Sequence, residues 1–182
     1  MNFFKSLILS SFSAFALFLS VSSIAQVSYE QILKAADTPE NWLTYNGGYS
    51  SQRYSALDQI TTSNVDDLQL KWTLQNQVFG AWQSNPIIVD GIMYVTERPN
   101  TVMAVDAVTG RIFWKYRHVP AANAVVCCGA NNRGVAILGD MVYMGTLDAR
   151  LIAIDRINGQ PLWNVEVGDV DLAYSVTMAP LA

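Results

Sequence analysis

One feature of the sequence carries side chains suited to chemistry. Cys127 and Cys128 are adjacent. Reduced cysteine packs as a small hydrophobe, so two buried thiols are one state of the pair. No other cysteine is present, so the oxidised alternative is a bond between the two neighbours. That bond closes an eight-membered ring across Cα atoms about 3.8 Å apart, closer than an ordinary disulfide spans. The product is a flat, rigid, apolar surface on which a planar ligand can rest. His118 is the single histidine, so a histidine-rich metal site is excluded. No Cys-x-x-Cys-His sequence for haem attachment occurs.

The start of the chain bears on the state of those cysteines. Lys5 is the only charge in residues 1–25, residues 7–21 are an apolar, Ser-containing stretch, and Ser23-Ile24-Ala25 places small residues at a cleavage site before Gln26. The segment reads as a cleaved secretory signal peptide, with export to the periplasm. The apolar run is short for a spanning helix, and nothing in the mature chain indicates membrane association. Export means an oxidising compartment, which favours the disulfide. Without Lys5 the formal net charge of −4 becomes −5. An acidic balance excludes a nucleic-acid partner, which needs a basic stripe. With 51% apolar and 11% aromatic residues, the chain is not of the disordered class.

The elements that must position these residues are strands. A capping box at Ser28 and Gln31 predicts one short helix, ending before Pro39. Residues 41–55 read as an ordered loop, and Asn64 as the cap of a helical turn through Leu68. From Leu70 onward, short β-runs alternate with turn residues. Tyr94 and Tyr143 lie 49 positions apart, as do Ala104 and Ala153, Asp106 and Asp155, Gly110 and Gly159, and Trp114 and Trp163. Each unit predicts four antiparallel strands, which is one propeller blade, with its tryptophan packed between neighbouring blades. The fold class expected is all-β, a partial β-propeller with a short N-terminal helix. A lead-in covers residues 26–70, the units about residues 84–133 and 134–174, and a further unit opens in residues 175–182, with a partial one around Trp72. This organisation leads us to expect the N-terminal part of a longer propeller protein.

Cys127-Cys128-Gly129-Ala130-Asn131-Asn132-Arg133-Gly134, followed by Gly145-Thr146-Leu147-Asp148-Ala149, strongly resembles the quinoprotein alcohol dehydrogenases. The resemblance extends from Trp42 and Gln52-Arg53-Tyr54-Ser55, through Pro86 to Gly91 and the Asp106 to Gly110 turn, to Ser175-Val176-Thr177-Met178-Ala179-Pro180. It implies the first blades of an eight-bladed propeller that oxidises a small alcohol to the aldehyde. Pyrroloquinoline quinone (PQQ) is the implied acceptor, Ca²⁺ the metal and cytochrome c the electron acceptor. In the family a vicinal disulfide, here Cys127–Cys128, stacks on the quinone. Arg133 matches a carboxylate-binding arginine, and Thr177 a threonine whose hydroxyl touches the cofactor. Gln83 stands where many relatives place a cofactor-binding glutamate, and its neutral amide still donates and accepts. Glu97 is the alternative polar contact nearby, expected to be solvated. Thr146 is expected to be structural, and His118 structural or exposed. The family's calcium ligands and catalytic aspartate fall beyond Ala182, so no catalytic or metal residue is assigned here. The competing expectation is a non-enzymatic propeller scaffold such as an outer-membrane protein assembly factor. It explains the repeat but not Cys127-Cys128 beside Arg133.

Overall fold

Alternating apolar residues and tight turns fold the two repeat units into two four-stranded antiparallel sheets. The first contains β1 (Ile87–Val89), β2 (Ile92–Glu97), β3 (Thr101–Asp106) and β4 (Ile112–Arg117), and the second β5 (Val135–Leu138), β6 (Met141–Gly145), β7 (Arg150–Asp155) and β8 (Pro161–Glu166). The computed structural model describes residues 26–127 and 129–182. The expected signal peptide and Cys128 lie outside the described residues. Strands in each sheet follow chain order, and their registers repeat. Tyr94 faces Ala104 and Ala104 faces Trp114, while Tyr143 faces Ala153 and Ala153 faces Trp163. Asp90 and Gly91 both take positive φ (52° and 75°) between Val89 and Ile92, as a two-residue type I′ hairpin requires.

The first strands of the two sheets are inner and the last are outer. Ile87, Val89, Tyr94, Val102, Val135, Ile137, Val142 and Ile152 join one buried cluster, to which the lead-in contributes Val27, Ile32 and Leu43. Every residue of β8 is exposed. The expected helix forms as α1 (Tyr29–Leu33), with both capping-box bonds between Ser28 and Gln31 in place. The lead-in is strapped to the sheets by backbone pairs, Trp42 with Ile88 and Val27 with Gly139.

Tryptophan sets the spacing between units. The Trp114 indole N–H donates to the Arg156 carbonyl at 3.0 Å. A Cβ on Gly159, which has φ 73°, would come within 2.6 Å of the Trp114 ring. Trp72 repeats the arrangement one unit earlier, with its N–H on the Ala107 carbonyl at 3.1 Å and its ring against Gly110. The turn after the third strand therefore needs glycine for room as well as for conformation.

Three expectations are modified. Residues around Trp72 dock as a unit would but form no strand, and neither do residues 175–182. Asn64 precedes a single 3₁₀ turn, Val65–Asp67, and its side chain accepts from the Thr61 N–H rather than capping that turn. Arg156 is fully buried, 3.6 Å from Asp90 and 3.9 Å from Asp140. Its two counter-charges come from hairpins in different sheets, which no local pattern announces. Among the described residues no helix is long and apolar enough to cross a membrane.

Candidate functional site

The segments that lead into β1 and β5 stand side by side with residues 175–182. The Asn85 N–H donates to the Arg133 carbonyl at 3.0 Å, and the Arg133 N–H donates to the Thr177 carbonyl at 3.1 Å. The Asn85 side-chain amide donates to the Tyr45 carbonyl. This row brings Arg133 and Thr177 together directly. Gln83, two residues before Asn85, is carried at the near end of the same row, exposed and with its amide free of hydrogen bonds to described residues.

Arg133 is half-buried, and one of its terminal nitrogens (Nη1) donates to the Thr177 hydroxyl at 2.9 Å and to the Thr177 carbonyl at 3.4 Å. Its Nε and Nη2 donors have no partner among the described residues. Thr177 thus orients a guanidinium whose remaining donors meet no acceptor among the described residues, which leaves them available for a bidentate anion. Asn132 is buried behind it. Its amide donates to the Gly145 carbonyl at 2.8 Å, and its carbonyl oxygen accepts from the Gly134 N–H at 3.2 Å. Thr96 completes the support, its hydroxyl 2.9 Å from the Ser84 hydroxyl and 3.0 Å from the Asn132 carbonyl.

Cys127 is exposed on the segment, residues 118–134, that carries the chain from β4 to β5. Cys128 lies outside the described residues, and with it the expected disulfide. The beginning of this segment is tied to the second sheet. The His118 ring nitrogen Nε2 lies 3.0 and 2.9 Å from the two oxygens of Asp148, and the Ala121 N–H donates to the same carboxylate at 3.1 Å. Burial works against the Asp148 charge. Hydrogen bonds from Thr146, His118 and Ala121 outweigh it and hold the carboxyl below the usual carboxylate range. His118 is therefore structural, as expected. Thr146 is buried and bonded to the Arg150 backbone, also as expected. Glu97 is the exception. It is 3% exposed and ion-paired with Lys115 at 2.5 Å, because β2 and β4 flank β3 and their side chains meet across it. It is a buried structural carboxylate rather than a solvated one.

Comparison with known proteins decides the family. Residues 42–180 match the family of the PQQ glucose/ethanol/alcohol dehydrogenase β-propeller domain. The chain belongs to this family. The dehydrogenase subunit of the quinone alcohol dehydrogenase of Gluconacetobacter polyoxogenes is 42% identical over 155 residues, covering 84% of this chain and 21% of that protein. The structure of quinohemoprotein alcohol dehydrogenase ADHIIG from Pseudomonas putida HK5 superposes with a TM-score of 0.81 at 38% identity, over 88% of this chain and 24% of that one. A europium-containing methanol dehydrogenase gives 0.78 at 35% identity, over 84% and 27%. The chain thus spans about a fifth to a quarter of the length of the relatives it matches.

The donors present fit a PQQ-type ligand, a planar molecule bearing carboxylates. A half-buried guanidinium with donors unpartnered among the described residues, a threonine that aims it and an exposed neutral amide on the adjoining segment supply polar groups for its edge. A metal does not fit in the same way, since among the described residues no group of three or more His, Cys, Asp or Glu could hold one. Asp148, Asn132 and Thr96 support the site and were not singled out from sequence. Asp148 and Asn132 stand within the family-like motifs, so the signal was there. Thr96 acts through Asn132, which lies 36 positions away.

Proposed function

We propose that this chain forms successive blades of a periplasmic, PQQ-dependent alcohol dehydrogenase and supplies one stacking face and part of the polar rim of its cofactor site. The observation that carries this is the Arg133 guanidinium, held by Thr177 with Nε and Nη2 unpartnered, at the end of the segment that bears Cys127. Bound PQQ supplies the two-electron acceptor that converts a primary alcohol to its aldehyde. Arg133 grips a carboxylate of the cofactor, and Thr177 keeps the guanidinium in that orientation. The oxidised Cys127–Cys128 pair presents the flat apolar face on which the ring system lies. Gln83 donates or accepts at the rim without adding charge. Positioning and exclusion of water are the protein's contribution here.

The names of the relatives support the substrate class, and "quinohemoprotein" in one of them supports a haem protein such as cytochrome c as the electron acceptor. We assign no ligand of the implied Ca²⁺ to this chain. The non-enzymatic scaffold explains two sheets but gives no reason for an arginine with unpartnered donors beside a cysteine pair. The test is alcohol-dependent reduction of an artificial dye by the protein as its gene encodes it, exported and supplied with PQQ and Ca²⁺. Turnover with primary alcohols is expected. Reconstituted protein that reduces no dye with any alcohol overturns the enzymatic function.

A further inference from the structure

We infer that Arg98 is a positioning residue that locks together the two loops flanking the proposed cofactor site. Arg98 follows β2, in the turn toward β3. Its Nε donates to the Ala130 carbonyl at 3.2 Å, two residues beyond Cys128. Its Nη1 donates to the Phe79 carbonyl at 3.1 Å, four residues before Gln83. One rigid guanidinium thus spans two segments. The segment around Phe79 leads to the Gln83 rim, and the segment around Ala130 carries the cysteine pair.

The fit around the guanidinium is close. A Cβ on Gly80 would stand 1.7 Å from Nη1, and one on Gly129 would stand 3.5 Å from Nη2. Any side chain at position 80 therefore displaces the guanidinium. No carboxylate pairs with Arg98 among the described residues, while the neighbouring Glu97 is engaged by Lys115. Nε and Nη1 are committed to two backbone carbonyls in different loops, a use for which the planar fork is suited and a single ammonium is not. Arg98 acts through the loops it holds and touches no reacting atom. Its loss lets the stacking face and the Gln83 rim move independently, which weakens cofactor binding without unfolding the sheets.

This rests on the proposed cofactor site, and two measurements keep the two claims apart. The protein as its gene encodes it is compared with Arg98→Met, Arg98→Lys and Gly80→Ala. Hydrogen–deuterium exchange without cofactor reads the coupling itself. Faster exchange in residues 77–83 and 127–134 together, with β1–β8 unchanged, is expected for Arg98→Met and Gly80→Ala. Titration with PQQ then reads the consequence. An affinity lower by about tenfold, with an unchanged melting temperature, is expected for Arg98→Met, as is usual for residues that orient ligand-holding groups. Arg98→Lys restores part of it, since one amine reaches one carbonyl. Unchanged exchange in both segments overturns the coupling. Increased exchange with unchanged PQQ affinity overturns the positioning role. A wild-type protein that binds no PQQ defeats the cofactor reading, while the exchange data still uphold or overturn the coupling.

Discussion

The Arg133 guanidinium and the Thr177 hydroxyl lie 2.9 Å apart across the boundary between the second sheet and the segment that follows it. The same two residues are joined by backbone at 3.1 Å, so their relative position is set twice. A side chain aimed by a neighbour whose own backbone is fixed is preorganised, and a ligand meeting it pays little ordering entropy.

The first prediction concerns this pair. Arg133→Ala removes a charge-assisted contact of about 1.5–3 kcal/mol, roughly ten- to a hundredfold in the PQQ dissociation constant. Thr177→Val keeps the shape but deletes the acceptor, and a smaller loss is expected because the Thr177 carbonyl still accepts. Fluorescence titration with PQQ measures both. A Thr177→Val effect larger than that of Arg133→Ala would mean that the hydroxyl, not the guanidinium, is the main contact.

A second prediction tests the packing between units. Gly159→Ala places a methyl 2.6 Å from the Trp114 ring and forces alanine to φ 73°. Overpacking and left-handed strain together cost about 2–4 kcal/mol. Trp114→Phe loses the 3.0 Å bond to the Arg156 carbonyl. That carbonyl keeps a bond from the Tyr94 hydroxyl at 3.3 Å, so a cost of only about 1–2 kcal/mol is expected. Urea unfolding of each variant gives the comparison, and equal costs would remove the special role of the glycine.

The third prediction is an acid sensitivity of the cysteine-bearing segment. The Asp148 carboxyl is held below its usual range when folded, so the ionised form is the one that folding favours. Its stabilisation is complete above about pH 4, the ordinary carboxylate value, and is lost as pH falls through the lowered native value. Asp148→Asn should therefore loosen residues 118–134 at pH 7 and remove that part of the acid dependence. Exchange rates of the His118 and Ala121 amides between pH 7 and 3 test this. Identical pH profiles in wild type and variant would contradict it.

Much of the fold was legible because its causes are local or periodic. The 49-residue spacing placed both sheets, and Trp114 and Gly159 were visible as repeating members of a pattern whose partner is one unit away. The Ser28 capping box was legible for the same reason, since both partners lie within one helical turn. Glu97 was not. Its burial depends on Lys115 reaching across β3, a pairing that only the register creates. Arg98 was hidden too, because both of its acceptors are main-chain carbonyls in distant loops, and a carbonyl leaves no trace in residue type. At the site, Arg133, Thr177 and Gln83 were reached through family resemblance. The structure adds the hydrogen bond that orders the first two.

The cysteine pair gives a fourth prediction. Mass spectrometry of protein purified without reductant should find Cys127 and Cys128 together two hydrogens lighter than the dithiol. Two alkylatable thiols in protein never exposed to reductant would remove the proposed stacking face.

The most direct test of the proposed site is equilibrium binding of PQQ to protein purified without reductant, with Arg133→Ala alongside. One PQQ per chain is expected, with affinity lost in the variant and lost again when the wild type is reduced at the cysteine pair. No saturable binding, or binding indifferent to both Arg133 and the cysteines, would contradict the assignment of this row of residues to a quinone site.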